Sequence, residues 1–209
     1  EHARKYYKNI IYNEEENLRS DQYCFFKISS KHNENFKAWI LYLHDKNETK
    51  MDFINELVDP FYVHRKEFIE SMDKKNIGMI TSGSENYFLS IINEEEITKN
   101  SEQLKLKHRV YSVRQRHTLS WLRELQYIIF HSTGILIEDK INFEFVAGNM
   151  FAARKQVITL AFSCVHDNFF EQGYRPDGTV AHGLERFYFY VNHCLNYNLK
   201  RLGVNDEQK

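Results

Sequence analysis

The chain has 209 residues, of which 42% are hydrophobic and 15% aromatic, with only two prolines; this composition is typical of a packed globular domain and excludes a disordered or linker-rich protein. Its 28 basic and 29 acidic side chains leave a formal net charge of −1, which argues against nucleic acid as a partner. Three widely spaced cysteines and the lack of a long apolar run predict no disulfide framework, no zinc site and no membrane span, and favour a reducing compartment such as the cytoplasm.

The first half of the chain alternates between predicted strands and helices. Residues 38–43 form a short, continuous, aromatic run, which predicts a buried strand. Apolar residues then recur at helical spacing from residue 51 to residue 72, with a break at Asp59-Pro60. Residues 76–80 predict a second strand that leads into a loop of small residues. Alternation of this kind predicts an α/β fold.

The second half begins with a charged stretch, residues 85–130, that is predicted to be mostly helical. Its segment 105–117 is rich in lysine, arginine and histidine; it is either a solvated helical face or a lip that meets an anionic substrate or a lipid phosphate. Residues 141–147 predict a third strand. The last predicted element is a helix from residue 179 to about residue 202, and its apolar stripe is expected to be core.

Polar residues follow each of the three predicted strands. His44, Asp45 and Lys46 follow the first, the small-residue loop 81–84 follows the second, and Gly148-Asn149 follows the third. In open α/β sheets ligands bind beyond the carboxyl ends of the strands, so these groups are expected to converge. A carboxylate such as Asp45 can hold a divalent cation and a lysine can neutralise phosphate, which together suit a sugar-nucleotide diphosphate. The alternative is a surface turn.

A second polar group begins at the tight turn Asp177-Gly178-Thr179, which leads into the last helix. His182, Glu185 and Arg186 are spaced i, i+3 and i+4, so they are expected to lie on one helical face. Such a group can supply a general base and a bidentate anion contact, with Asp177 as base toward a sugar hydroxyl. The alternative is purely structural. Thr179 can be an ordinary N-cap that Asp177 assists, and Glu185 and Arg186 can form a structural ion pair.

Several segments resemble the rhamnan synthesis protein F family, a group of glycosyltransferase-like domains in surface polysaccharide assembly. They are Gly78-Met79, the run F-V-A-G-N-M-F-A-A-R at 145–154, and the run E-Q-G-Y-R-P-D-G-T-V-A-H-G-L-E-R at 171–186. Upstream, L-Y-L-H-D-K at 41–46 is similar to that family's strand ending in L-H-T-K, and the residues Asn17, Arg19 and Asp21 resemble its N-R-G-R-D segment. The resemblance covers roughly residues 17 to 190.

The resemblance implies a single glycosyltransferase-like domain over residues 1–209, with a GT-A-type α/β fold whose central sheet is mixed, mostly parallel and flanked by helices. It implies transfer of a sugar, with L-rhamnose as the first candidate, from a UDP-, dTDP- or GDP-linked donor to a glycan acceptor in polysaccharide or glycoprotein glycan synthesis. The chain has no D-x-D motif. Either Asp45 helps to bind a manganese or magnesium ion, or His44 and Lys46 stabilise the diphosphate without metal.

The remaining residue roles also come from the resemblance. Gly148 and Asn149 would line a bound sugar, with Arg154 supporting that loop. His182, Glu185 and Arg186 would surround the acceptor; Asp177 would be the base, with Glu171 as the second choice.

The length of the chain before His44 leaves a second function open. Only 43 residues precede His44, whereas two or three strand and helix units need on the order of 80. We therefore expect a fragment, a compact variant or one domain of a longer protein. The alternative function is a non-catalytic carbohydrate-binding or assembly module with a degenerate glycosyltransferase fold.

Overall fold

The computed structural model describes residues 25–27, 29, 38–43, 51–85, 88–91, 113–135, 143–146, 148, 150–170 and 179–204. The strands in these ranges are β1 (Trp39–Tyr42), β2 (Ile77–Ser82), β3 (Phe88–Ile91), β4 (Phe143–Val146), β5 (Phe151–Arg154) and β6 (Asn198–Leu202). The α-helices are α1 (Met51–Leu57), α2 (Pro60–Val63), α3 (Arg65–Asp73), α4 (Val113–Thr133), α5 (Lys155–Ser163) and α6 (Val180–Cys194), with a 3-10 turn at Asp167–Phe169.

Four strands form a mixed sheet in the order β1-β5-β2-β6. The central strand β5 runs antiparallel to both β1 and β2, while β6 runs parallel to β2. Strands β1, β2 and β6 therefore point the same way. Of these three, β2 and β6 are hydrogen-bonded neighbours, whereas β1 is separated from β2 by β5. Strands β3 and β4 form a separate antiparallel pair. The predicted α/β class with a mixed sheet flanked by helices is confirmed. The prediction that the sheet is mostly parallel is wrong for the described strands, because two of the three pairings in the four-stranded sheet are antiparallel.

The sheet separates two hydrophobic clusters because successive strand residues point to opposite faces. On one face Phe151 and Met79 join the larger cluster, which also contains buried side chains of α4, α5 and α6. On the other face Ile80 packs with Phe61 of α2 and Phe68 of α3. Aromatic contacts dominate the larger cluster: the ring of Phe151 lies 5.2 Å from that of Tyr188 and 5.6 Å from that of Tyr42. Helices thus cover both faces of the sheet.

The C-terminal element differs from its prediction. Helix α6 ends at Cys194, and the chain continues as strand β6. Asn196 adopts a left-handed φ of 56°, and hydrogen bonds from Asn196 N to His193 O (2.8 Å) and from Tyr197 N to Asn192 O (3.1 Å) close the helix. This pattern is a Schellman motif. The prediction of one helix to about residue 202 is therefore wrong.

Other elements were missed or lie elsewhere. Strand β3 falls inside the stretch 85–130 that the sequence predicts to be mostly helical, and α4 begins only at Val113. The side chains of the basic segment 105–117 lie outside those that the structure describes. No helix within the described ranges is both long and apolar enough to cross a membrane.

Glu67 of α3 joins this helix to the end of β6. Its carboxylate accepts hydrogen bonds from Lys200 Nζ at 2.9 Å and from Gly203 N at 3.0 Å. The Lys200 side chain is only 8% exposed, so its ammonium depends on such partners. Burial acts to raise the pKa of Glu67, but the hydrogen bonds from Gly203 and Lys200 outweigh it, and the pKa lies below its ordinary value.

We expect Glu67→Gln to lower the free energy of unfolding at pH 7 by about 1–2 kcal/mol, because Lys200 loses its anionic partner. A lowered carboxyl pKa contributes stability that is present above the unfolded-state value, near 4.5, and is lost as the pH falls through the folded-state value. Urea unfolding at pH 7 and pH 3 should therefore show a difference from wild type that shrinks in acid. Glu70→Gln, at an exposed ion pair on the same helix, should change little at either pH. An undiminished effect of Glu67→Gln at pH 3 would contradict this account.

Candidate active site at the carboxyl edge of the sheet

The ends of the strands meet at one edge of the four-stranded sheet. The last residue of β1, Tyr42, lies opposite the first residue of β5, Phe151, and Thr81 near the end of β2 lies opposite the same phenylalanine. Ser82 in turn lies opposite Leu202 at the end of β6. The carboxyl ends of three strands and the start of β5 therefore share this edge, which is where open α/β sheets bind ligands.

The turn between β4 and β5 reaches this edge at Gly148. It joins the two separate sheets, because β4 pairs with β3 and β5 pairs with β1 and β2. Gly148 has a φ of 104°, a value that L side chains rarely adopt. Its N–H donates a hydrogen bond of 2.5 Å to Oε1 of Glu185, 37 residues further along the chain.

The start of α6 carries the predicted group. His182, Glu185 and Arg186 all lie in its first two turns, as the spacing predicts. Thr179 occupies the N-cap position with extended backbone but makes no side-chain cap hydrogen bond; its Oγ1 lies 2.8 Å from His182 Nδ1 instead. Thr179 thus orients the imidazole, whose Nε2 makes no hydrogen bond within the described part of the chain.

Glu185 and Arg186 form a compact pair under the turn. Arg186 Nη1 donates to Glu185 Oε2 at 3.2 Å and to His182 O at 2.8 Å, and its guanidinium carbon lies 4.8 Å above the ring of Phe145 on β4. Glu185 is only 7% exposed. The ion pair that the sequence left as an alternative is therefore present, and it also contacts the backbone of Gly148.

The end of β2 carries a further polar cluster that sequence reasoning missed. Arg201 Nη2 on β6 donates to Gly83 O at 3.0 Å and to Glu85 Oε1 at 2.5 Å, and Ser84 Oγ donates to the carboxylate of Glu56. These contacts fix the loop that follows β2. Arg201 escaped notice because its segment was predicted to be helical; the residues N-L-K-R-L, 198–202, do not alternate between apolar and polar, since the buried position 200 is a lysine.

Arg154 is not brought to the Gly148 turn. It lies at the other end of β5, where its guanidinium donates to Ile77 O at 2.6 Å and to Lys74 O at 2.9 Å. Trp39 and Tyr197 lie 4.9 and 5.5 Å from the same group. An open hollow of about 600 Å³ lies at this opposite end, lined in part by Arg154 and Tyr197. The contacts of Arg154 tie the end of β5 to the first residue of β2 and to Lys74 before it.

The other predicted site residues fall outside the described part of the chain. They are His44, Asp45, Lys46, Asn149, Glu171 and Asp177. His44 and its neighbours follow the end of β1 by two to four residues, and Asp177 precedes Thr179 by two. Within the ranges that the structure does describe, no group of three His, Cys, Asp or Glu side chains is placed to hold a metal ion.

The described parts of the two longest segments of the family resemblance, 145–154 and 171–186, are in contact at Gly148 and residues 185–186. Their junction is the hydrogen bond between Gly148 and Glu185, supported by the contact of Arg186 with Phe145. Comparison of the chain with protein-family models, with curated proteins and with solved structures finds no match. The residues themselves therefore carry the argument about function.

Proposed function

We propose that the chain is a nucleotide-sugar-dependent glycosyltransferase. The observation that carries the proposal is the hydrogen bond between Glu185 and Gly148, because it joins the two segments of the resemblance at the sheet edge where α/β folds bind ligands. In the sequence, the basic and acidic tripeptide His44 to Lys46 comes two to four residues after the end of β1. This arrangement supports a site that holds a diphosphate on one side and a sugar acceptor on the other.

The chemistry needs stabilisation of a leaving diphosphate. In glycosyl transfer an acceptor hydroxyl oxygen forms a bond to the anomeric carbon of the donor, the bond from that carbon to the diphosphate oxygen breaks, and the nucleoside diphosphate leaves with the electron pair. Lys46 and His44 can neutralise the charge that develops there. A manganese or magnesium ion held by Asp45 is the other way to supply this stabilisation.

On the acceptor side, the reaction needs a general base and a surface that positions the acceptor sugar. We assign the base to Asp177, which takes the proton of the acceptor hydroxyl, with Glu171 as the second choice. The Gly148 turn with Asn149 forms this surface, and His182 and Arg186 present polar groups from the start of α6. Helix α6 is a suitable support because Leu184 and Phe187 are fully buried.

Isothermal titration with UDP, dTDP and GDP, each with and without manganese, tests the donor site. We expect one nucleotide to bind, and Lys46→Met to weaken it roughly 10- to 100-fold through loss of a charge-assisted phosphate contact. Lys75→Met, at an exposed lysine before β2, is the control and should leave binding unchanged. If binding requires manganese, we assign the diphosphate contact to a cation held by Asp45. If binding is independent of metal, we assign it to Lys46.

Failure of all three nucleotides to bind would overturn the proposal. Oligosaccharide binding in the same preparation would then favour the non-catalytic carbohydrate-binding or assembly module.

A further inference from the structure

We infer that Glu185 is a positioning residue, which holds the backbone of the Gly148 turn and the guanidinium of Arg186 and does not itself contact the substrate. The inference deepens the proposed function and rests on it for the claim that the turn lines the substrate site. It replaces the substrate-binding role that the sequence predicts for Glu185, and it leaves Arg186 as the anion-binding group of the pair.

The first argument is that both oxygens of Glu185 are engaged. Oε1 accepts the hydrogen bond from Gly148 N at 2.5 Å, and Oε2 accepts one from Arg186 Nη1 at 3.2 Å. The residue is 7% exposed, and a carboxylate buried to this extent is stable only when such partners satisfy it. A substrate hydroxyl would have to displace one of these two donors.

The second argument is the place of the turn. Gly148 lies where the chain passes from one sheet to the other, in a backbone conformation that favours glycine. Met150, the residue before β5, is 1% exposed and packs in the larger hydrophobic cluster, whereas Gly148 has no side chain that could fix its own position. Glu185 extends to it from a helix whose neighbouring residues Leu184 and Phe187 are fully buried, so the hydrogen bond attaches the Gly148 backbone to a rigid element.

The third argument concerns Arg186. Its Nη1 is engaged by Glu185 and by His182 O, and its guanidinium lies on the Phe145 ring. Within the described residues its Nε and Nη2 make no hydrogen bond. A guanidinium has five N–H donors in a fixed plane, so once Nη1 is held the remaining donors point in a defined direction. They suit an anionic substrate group such as a phosphate.

The contact can be tested without any substrate by the exchange of the Gly148 amide. Selective ¹⁵N-glycine labelling gives at most eight backbone signals, and the Gly148 signal is the one that Gly148→Ala removes. We expect Glu185→Ala to speed exchange of this amide roughly 10- to 100-fold, as loss of a hydrogen bond to a charged group does. Glu185→Gln keeps an acceptor oxygen and should shift the signal with a smaller rate change. Glu124→Ala, at an exposed glutamate of α4, is the matched control and should leave the Gly148 signal unchanged.

An unchanged Gly148 amide in both Glu185 variants overturns the inference, and Glu185→Gln decides it should Glu185→Ala not fold. A second experiment measures sugar transfer. We expect kcat to fall about 100-fold in Glu185→Ala, and less in Glu185→Gln, while KM for the donor changes only a few-fold, because a displaced Gly148 turn slows the transfer step without removing a substrate contact. A raised KM at unchanged kcat would return Glu185 to substrate binding. If the wild-type chain transfers no sugar, the proposed function is refuted. The hydrogen bond between Glu185 and Gly148 is still tested by the amide exchange experiment, which needs no substrate.

Discussion

Replacing Asp177 with asparagine is expected to lower the rate of sugar transfer by about 10²- to 10⁴-fold, the usual contribution of a general base. Asparagine has nearly the shape of aspartate but cannot accept the proton of the acceptor hydroxyl. Binding of the nucleotide should persist, because the diphosphate is assigned to the residues that follow β1. The measurement is release of nucleoside diphosphate from the donor in the presence of acceptor, with titration of the nucleotide alongside.

The control for this variant is Asp73→Asn, which changes an exposed carboxylate at the end of α3 and should leave transfer at the wild-type rate. The melting temperature of Asp177→Asn should match that of wild type, since otherwise the turn before α6 has been disturbed. Full activity of the variant would show that Asp177 is not the base. Glu171→Gln would then be the next variant, as the other carboxylate of the segment 171–186.

Segments rich in apolar and aromatic residues predicted β1, β2 and β4, whereas β5, which lies between β1 and β2 in the sheet, was not predicted. Residues 38–43 contain β1 at Trp39–Tyr42, and residues 141–147 contain β4 at Phe143–Val146. Each run is short, aromatic or β-branched, and bounded by polar residues, so strand was the favoured state at both. The pairing of these strands could not be predicted, because register and neighbours depend on contacts far apart in the chain. β4, for example, pairs in the separate sheet.

Strand β6 shows where periodicity misleads. Leu195 and Leu199 continue the helical stripe of α6, so spacing alone extends the helix past its true end. The helix stops because Asn196 takes a left-handed conformation and the following amides return to the last turn. The sequence Asn-Tyr-Asn at 196–198 carried that signal, since asparagine is among the few residues that tolerate this conformation.

The candidate site was predictable in its composition and not in its contacts. Helical spacing placed His182, Glu185 and Arg186 on one face, and the structure confirms that they share the start of α6. Which of the three side chains points into the protein depends on what packs against the helix. Glu185 meets the backbone of Gly148, and a glycine has no side chain that could indicate such a contact in the sequence. Arg154 illustrates the converse: it belongs to the same sequence run as Gly148, but the length of β5 carries it to the opposite end of the sheet.

Gly78→Ala is expected to be strongly destabilising, for a reason of space. A Cβ at this buried position of β2 would overlap Oδ1 of Asn192 and Cβ and Cγ of Tyr197. Alanine lowers the conformational entropy of the unfolded chain, which by itself raises the free energy of unfolding by about 0.4–1 kcal/mol. Overpacking a filled core lowers the free energy of unfolding, typically by about 1–3 kcal/mol. With side-chain atoms of two residues in the way, overpacking should prevail. We expect a net loss of about 2 kcal/mol, seen as a melting temperature roughly 4–8 °C lower.

A double-mutant cycle separates this explanation from a functional one, since Gly78 is also part of the family resemblance. Asn192 donates from Nδ2 to Tyr197 O at 3.0 Å, so Asn192→Ala alone should be destabilising. It also removes the oxygen that the new methyl group would meet. Gly78→Ala should therefore cost less in the Asn192→Ala background than in wild type, with a coupling free energy of about 1 kcal/mol. Strict additivity would mean that Asn192 does not restrict the space at residue 78. A Gly78→Ala protein that melts like wild type but transfers no sugar would instead make this glycine part of the active site.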